Sequence, residues 1–165
     1  MNKINHEIVN FEIVKLENLS GRKANIYSVI IDDENTSLFD KFIRKYKVDF
    51  TNEVIDIVDR IDLIANYTGA ENRHFKENEG KLGDLVCALY DMPDSKLRLY
   101  CIRLGKTVVI LGGGGFKSKL IRALQQDPIL TQENYIMREI SERLYDKIKQ
   151  RDIYWSEDEW KSWGT

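Results

Sequence analysis

Basic side chains that could bind phosphate groups are concentrated in residues 96–122. This stretch holds seven basic residues and no acidic one, whereas the rest of the chain carries 18 basic and 27 acidic residues, a difference of −9. Such a cationic stretch on an acidic chain is typical of proteins that bind a polyanion or an acidic partner. The alternative is a solvated hairpin edge, because lysine and arginine also protect edges from aggregation. The seven residues are Lys96, Arg98, Arg103, Lys106, Lys117, Lys119 and Arg122.

Two strands are predicted within this stretch, over residues 97–104 and 107–111. Gly105 and Lys106 between them favour a two-residue type II′ turn, since glycine suits the first position of such a turn. That turn places Leu104 opposite Thr107. Both faces of the hairpin are mostly apolar, which favours a position inside a sheet. One predicted face holds Arg98, Tyr100, Ile102, Val109 and Leu111, and the other holds Leu99, Cys101, Arg103, Val108 and Ile110.

The glycine run at residues 112–115, followed by Lys117 and Ser118, invites comparison with a phosphate-binding loop. The P-loop pattern fails because Leu111 and Phe116 occupy its two glycine positions. The dinucleotide-binding pattern fails as well, since it needs glycine at position 117 and a preceding βαβ unit. We therefore expect the glycines to release the chain from the sheet and to let a backbone or a ligand approach closely.

The rest of the chain predicts an α+β fold. Residues 6–17 and 23–32 form an antiparallel hairpin around turn-forming residues. Caps and apolar periodicity indicate helices, and glycine-rich polar residues indicate a loop. The remaining predictions are a helix at 37–47 capped within 33–37, a helix at 52–68 capped by Thr51, a loop at 69–83, a strand at 84–92, a short helix at 118–126, a break at Pro128, and a helix at 132–151 capped by Thr131. The buried stripe of that last helix is Ile136, Met137, Ile140, Leu144 and Ile148.

Length and composition are those of a single globular domain spanning residues 1–165. No apolar run is long enough to span a membrane, and charges interrupt the apolar N-terminal residues, so neither an anchor nor a signal peptide is predicted. Cys87 and Cys101 are expected to be buried thiols in a reducing compartment. With His6 and His74 they have no ligand-like spacing, so no metal is expected. The tail at 151–165 carries three tryptophans and either docks on the body or binds a partner.

The order of elements and several motifs resemble the RelE/ParE toxin superfamily, and in particular its HigB-like, phage-derived branch. The resemblance lies in Arg98–Leu–Tyr100, in Val108–Val–Ile–Leu111, in Gly115–Phe–Lys–Ser–Lys119 and in the helix at 133–149. It covers residues 23–150, so that residues 1–22 are an N-terminal strand extension and 151–165 a tail. It implies a RelE-like antiparallel sheet with two N-terminal helices on it and a C-terminal helix.

The resemblance also implies an activity: ribosome-dependent cleavage of mRNA by the toxin of a toxin–antitoxin pair in the cytoplasm, without a cofactor. The expected partners are the ribosome with its mRNA and an antitoxin of the helix-turn-helix type. Arg98 matches the family's strand arginine and would bind the scissile phosphate, because fixed cations stabilise charge on phosphoryl oxygens. Tyr100, on the same predicted face, would stack a base or orient a proton, and Lys117 would bind the RNA backbone.

Further contacts with RNA are expected from basic residues around this site, namely Lys81, Lys106, Lys119 and Arg122. His74 is a possible acid or base, since an unperturbed imidazole titrates near neutral pH. Arg103 is expected on the opposite face, in a structural or partner-facing role. A non-catalytic interaction module that grips an acidic protein partner is the alternative function.

Overall fold

The computed structural model describes residues 8, 10–76, 85–89, 94–117, 128–149, 153–155 and 160–162. A π-helical turn (Ile64–Thr68) and a 3₁₀ turn (Asn72–His74) lie between the longer elements. In chain order the strands and α-helices of the described residues are β1 (Phe11–Lys15), β2 (Asn25–Ile31), α1 (Leu38–Tyr46), α2 (Thr51–Leu63), β3 (Phe75–Lys76), β4 (Val86–Leu89), β5 (Leu97–Leu104), β6 (Val108–Phe116), α3 (Pro128–Lys149), β7 (Ile153–Trp155) and β8 (Trp160–Ser162). The predicted helix at 118–126 lies outside the described residues.

Six strands form one mixed sheet in the order β1-β2-β6-β5-β4-β3. The predicted antiparallel sheet is wrong at one place, because β2 and β6 run parallel, with Asn25 opposite Val108. Helices α1 and α2 and strands β3, β4 and β5 separate these strands in the chain, and such a long connection is what parallel neighbours need. All other neighbours are antiparallel, including the predicted β1-β2 hairpin. Strands β7 and β8 form a separate antiparallel hairpin in the tail.

The helices lie on the two faces of this sheet, which confirms the α+β class. Phe39 and Phe42 of α1 and Ile61 of α2 pack with Leu99 and Val109 on one face. The predicted stripe of α3 packs on the other face, against residues that include Tyr100, Ile102 and Ile110. Burying one such Leu or Ile side chain stabilises the fold by about 1.5–3 kcal/mol. The stripe residues Ile136, Met137, Ile140 and Leu144 are buried and Ile148 is partly buried.

The start of β6 is displaced by one residue from the predicted register. Leu104 lies opposite Val108, so the loop is three residues long and begins at Gly105, whose φ is +66°. Because side chains alternate along a strand, one extra loop residue moves the side chains of β6 that precede the glycine run to the other face. Val108 and Ile110, rather than Val109 and Leu111, therefore share the α3 face with Tyr100.

The glycine run does not leave the sheet: β6 continues through residues 112–115 to Phe116. A register shift between Leu99 and Cys101 places one residue of β5 opposite two glycines of β6, which is a β-bulge. A β-carbon on Gly112 would lie 2.8 Å from Cγ of Met137, on α3. The close neighbours of the glycine run are therefore the Met137 side chain of α3 at Gly112 and the β5 backbone at Gly114, where a β-carbon would overlap the carbonyl oxygen of Arg98.

The helix caps predicted at Thr51 and Thr131 are wrong, whereas the cap predicted within residues 33–37 is confirmed. Thr51 does not cap α2, since its hydroxyl donates to the carbonyl oxygen of Lys47 at 2.7 Å. Helix α3 begins at Pro128, before Thr131, because proline has the right φ for a first turn and needs no amide partner there. Ser37 does cap α1, accepting a hydrogen bond from the Asp40 amide at 3.2 Å.

Both cysteines are buried and unbridged, as predicted. Cys87 on β4 lies directly opposite Cys101 on β5, with 3.5 Å between the two sulfur atoms. Burial raises the pKa of the Cys101 thiol well above its ordinary value, with a smaller contribution from its hydrogen bond with Cys87. A thiol held in this way is a poor nucleophile, so the pair belongs to the core.

Candidate nucleic-acid interface

Three basic residues meet at one end of the sheet, where β5 begins and β6 ends. Arg98 lies opposite Gly115, and the Lys117 amide donates a hydrogen bond of 2.7 Å to the carbonyl oxygen of Lys96. Lys96 is exposed, while Arg98 and Lys117 are half-buried. We call Lys96, Arg98 and Lys117 the basic end. The antiparallel pairing of two adjacent strands is sufficient to bring these residues together.

Lys106, predicted to belong to the same site, lies at the opposite end of the sheet in the β5-β6 loop. It is eight residues beyond Arg98 in the chain, and six of those steps run along β5, a span of about 20 Å at the usual strand rise. Lys106 therefore cannot contact the same phosphate as Arg98. Three other predicted RNA contacts, Lys81, Lys119 and Arg122, lie outside the described residues.

Tyr100 is a core residue, with 1% of its surface exposed. It lies on the α3 face among residues that include Ile102 and Met137. Stacking on a base requires an exposed ring face, and the ring of Tyr100 has none in this conformation. The geometry does not provide the stacking role that we expected of this residue.

His74 immediately precedes β3, which is two strands away from β5 in the sheet. It is 4% exposed, and its Nε2 lies 2.8 Å from the hydroxyl of Thr68. Burial lowers its pKa below the ordinary value, and the neighbouring Arg73 lowers it further. The residues that follow it, Phe75 and Lys76, pair with Leu89 and Ala88 of β4, and Ala88 pairs with Tyr100 of β5. His74 therefore lies near the level of Arg98 but two strands away from β5, in a buried and structural setting.

Arg103 has the structural role that was one of its two predicted alternatives. Its guanidinium donates to the carbonyl oxygen of Ala70 at 3.0 Å and to the side-chain oxygen of Asn72. It also lies over the ring of Phe75, 5.3 Å from the ring centroid. Arg103 therefore fastens the segment between α2 and β3 to the sheet.

A carboxylate that the sequence analysis missed, Glu53, holds the start of β5. Its Oε1 accepts hydrogen bonds from the amides of Lys96 at 2.7 Å and Leu97 at 3.1 Å. The first turn of α2 is thereby tied to the basic end, and Lys96 is fixed in place. An acidic residue in a first helical turn is visible in sequence, but its contact with a strand 43 residues away is not.

Two phenylalanines flank the basic end on the α1/α2 face. Phe116, the last residue of β6, lies opposite Leu97, and its ring centroid is 5.9 Å from that of Phe50. The contacts continue from Phe50 to Tyr46 at 5.9 Å and from Tyr46 to Phe42 at 5.1 Å. A chain of aromatic rings thus runs from the core to the surface at the basic end.

A second missed carboxyl group, Glu133, lies in α3 beside the glycine run. A β-carbon on Gly113 would lie 2.9 Å from its carboxyl carbon. Burial raises the pKa of Glu133, while Lys41 and Lys45 of α1 act in the opposite direction with smaller effect. The signal for this residue was its position, since Glu133 precedes the apolar stripe at Ile136 by the helical spacing of three.

The pH dependence of stability should report on Glu133. A raised pKa in the folded protein means that wild-type stability falls as the pH rises from the ordinary Glu value, about 4.3, through the folded pKa. Glu133→Gln removes this loss. The unfolding free energy of the variant minus that of the wild type should therefore grow between about pH 4 and pH 7.

Urea unfolding at several pH values measures this difference. Glu12→Gln, on the exposed side of β1, controls for the loss of a surface charge. A difference that stays constant with pH at position 133 would contradict the buried placement of this carboxyl group.

No group of three or more His, Cys, Asp or Glu side chains that could hold a metal ion occurs within the described residues. Among the helices of the described part, none is both long and apolar enough to cross a membrane. Comparisons with family models, with curated proteins and with solved structures found no match for this chain. The resemblance to RelE/ParE toxins therefore stays a prediction, supported by the motifs and the order of elements.

Proposed function

We propose that the basic end binds RNA phosphates and that the protein is the toxin of a toxin–antitoxin pair, a ribosome-dependent mRNA endoribonuclease. The observation that supports this proposal is the convergence of Lys96, Arg98 and Lys117 at one end of the β5-β6 pair. The nearby carboxylate of Glu53 accepts two backbone hydrogen bonds. Cations held on adjacent strands are suited to the closely spaced phosphates of a nucleic acid backbone.

The proposed cleavage is attack of a ribose 2′-oxygen on the adjacent phosphorus. Negative charge grows on the phosphoryl oxygens as this bond forms and the bond to the 5′-oxygen breaks. Solvent water takes the proton of the 2′-hydroxyl and supplies one to the leaving 5′-oxygen, so that the products are a 2′,3′-cyclic phosphate and a 5′-hydroxyl. Arg98 stabilises that charge through its planar guanidinium, which can bind two phosphoryl oxygens at once. Lys117 would hold the neighbouring backbone. His74 is assigned no acid or base role, because it is buried with its Nε2 2.8 Å from the Thr68 hydroxyl.

The order of elements supports a RelE-like arrangement as part of this proposal. A strand, two helices, a three-stranded meander and a closing helix follow one another as β2, α1, α2, β4, β5, β6 and α3. Strands β1 and β3 and the β7-β8 hairpin are additions to that order. Helices α1 and α2 lie on one face of the sheet and α3 lies on the other. The cations of the basic end lie at the end of the β5-β6 pair, between these two layers.

The partners follow from the same proposal. Ribosomal RNA and mRNA meet the basic end, and an antitoxin of the helix-turn-helix type would restrain the toxin in the cytoplasm. A partner that covers the basic end would present acidic side chains, because Lys96, Arg98 and Lys117 require charge complementarity.

A non-catalytic interaction module is the second candidate, and a specific observation favours it. Tyr100 and His74 are both buried, with 1% and 4% of their surfaces exposed, so neither offers an open side chain beside Arg98. An acidic protein surface could then occupy the basic end without any reaction. The two candidates share a binding site and differ in whether RNA is cut.

Inducible expression in a bacterial host separates the two candidates. The toxin proposal predicts growth arrest within a few generations and cleavage of mRNA on translating ribosomes, mapped by primer extension. Normal growth with intact ribosome-bound mRNA, together with a stable acidic partner on purification, would favour the interaction module.

A further inference from the structure

Phe116 is an exception within its strand. The residues of β6 from Val108 to Gly115 are buried, whereas 37% of the Phe116 surface is exposed. Lys117 follows it in the chain, and its strand partner Leu97 follows Lys96. An aromatic ring open to solvent therefore lies at the strand end that carries the two lysines of the basic end.

The ring of Phe116 is also held in place. Phe50 packs against it with ring planes inclined by 44°, and Phe50 is itself fixed. The Phe50 amide donates to the carbonyl oxygen of Tyr46 at 2.9 Å, and the Phe50 carbonyl oxygen accepts from Val54 at 3.0 Å. A ring supported from behind loses little freedom when a second ring stacks on it.

The combination of an exposed, supported ring with adjacent cations is suited to single-stranded nucleic acid. Cations follow the backbone, and aromatic rings stack on bases irrespective of sequence. We propose that a base of single-stranded RNA stacks on Phe116 while Lys96 and Lys117 contact the flanking phosphates. This proposal rests on the proposed RNA binding and assigns to Phe116 the stacking role that the buried Tyr100 does not fill.

Arg98 and Phe116 would contact different parts of the bound RNA, the phosphate and the base. Arg98 lies on the α3 face, with Tyr100 and Ile102, whereas Phe116 lies opposite Leu97 on the α1/α2 face. A nucleotide that crosses the end of the sheet would place its phosphate towards the first face and its base towards the second. Loss of the ring should therefore weaken binding without changing the number of phosphate contacts.

The test is binding of a short single-stranded RNA with 2′-O-methyl riboses, which cannot be cleaved, measured by fluorescence anisotropy at several salt concentrations. Phe116→Leu keeps an apolar side chain and removes the ring, and Phe116→Tyr keeps the ring. We expect Phe116→Leu to raise the dissociation constant by about 5- to 150-fold with an unchanged salt slope. Phe116→Tyr should bind like the wild type.

An abasic oligonucleotide of the same length supplies an arm that uses only wild-type protein. It should bind the wild type as weakly as the intact oligonucleotide binds Phe116→Leu. If the wild type binds the abasic and the intact oligonucleotide equally strongly, and with the same salt dependence, the stacking proposal is overturned while the phosphate site remains. Absence of wild-type binding to any of these oligonucleotides would overturn both.

Protein docking on Phe116 is the competing explanation, and the same variants address it. If Phe116→Leu binds RNA like the wild type but no longer binds the acidic partner, the ring belongs to a protein interface and the stacking proposal fails. Thermal unfolding of each variant checks that the fold is retained.

Discussion

Arg98→Ala abolishes growth arrest on induction and lowers the rate of RNA cleavage by about 10²–10³-fold, the usual effect of removing one group that stabilises charge in a transition state. The physical reason for this effect is the position of the Arg98 side chain. Arg98 lies on β5 opposite Gly115, which has no side chain, next to the strand end that carries Lys117. Lys96 and Lys117, the other two residues of the basic end, carry ammonium groups and lack the planar pair of donors of a guanidinium.

Two further variants make this prediction specific. Arg98→Lys keeps the charge but loses the planar pair of donors, so we expect partial activity. Lys106→Ala removes one exposed positive charge at the far end of the sheet and should remain active. An equal loss of cleavage activity in Arg98→Ala and Lys106→Ala would indicate that net charge, rather than the basic end, determines the activity. Full activity of Arg98→Ala would show that Arg98 takes no part in the reaction.

Gly114→Ala is expected to destabilise the protein by about 4 kcal/mol or more, or to prevent folding. The added β-carbon would overlap the carbonyl oxygen of Arg98 and lie 2.9 Å from its carbonyl carbon. These are backbone atoms of the neighbouring strand, which no rotamer change can move aside. Strand separation or loss of the bulge would follow, and effects of this size are diagnostic of such a clash.

Gly115→Ala is the matched control for this prediction. Its β-carbon would lie 3.5 Å from the Leu130 amide nitrogen, an ordinary van der Waals contact. Chemical denaturation of both variants should show a much smaller loss of unfolding free energy for Gly115→Ala than for Gly114→Ala. Equal and small losses at both positions would contradict the close pairing of β5 with the glycine run.

Local periodicity made several elements predictable. Strand β5 has the predicted limits, Leu97–Leu104, and the stripe of α3 is buried as expected. Helix α2 begins one residue before its predicted start and gives way to a π-helical turn at Ile64. These features depend on neighbours three to four residues apart or on strand alternation, and both are written in the sequence.

Other features depend on contacts that no local pattern contains. The glycine run looked like a break in the sheet, whereas it is the strand surface on which Met137 of α3 packs. The predicted register of β6 was wrong because two- and three-residue loops around Gly105 are hard to tell apart in sequence. The two loop lengths direct the same side chains of β6 to opposite faces of the sheet. The parallel pairing of β2 with β6 joins residues more than 80 positions apart.

The candidate site was partly predictable for a related reason. The resemblance grouped Arg98 with Lys117, whereas the pairing that brings them together runs through the glycine run, which was expected to leave the sheet. Charge counting could not separate the two ends of the β5-β6 pair, which is why Lys106 was placed with Arg98. The support from Glu53 comes from a different helix and needed the structure.

The claim on which the rest depends is that the basic end binds the phosphates of single-stranded RNA. The salt dependence of RNA binding tests it, with wild type compared against the variant Lys96→Ala, Arg98→Ala, Lys117→Ala. For single strands the slope of log affinity against log salt changes by about 0.7 for each phosphate contact. The triple variant should therefore bind more weakly with a slope shallower by about two, and an unchanged slope and affinity would contradict the claim.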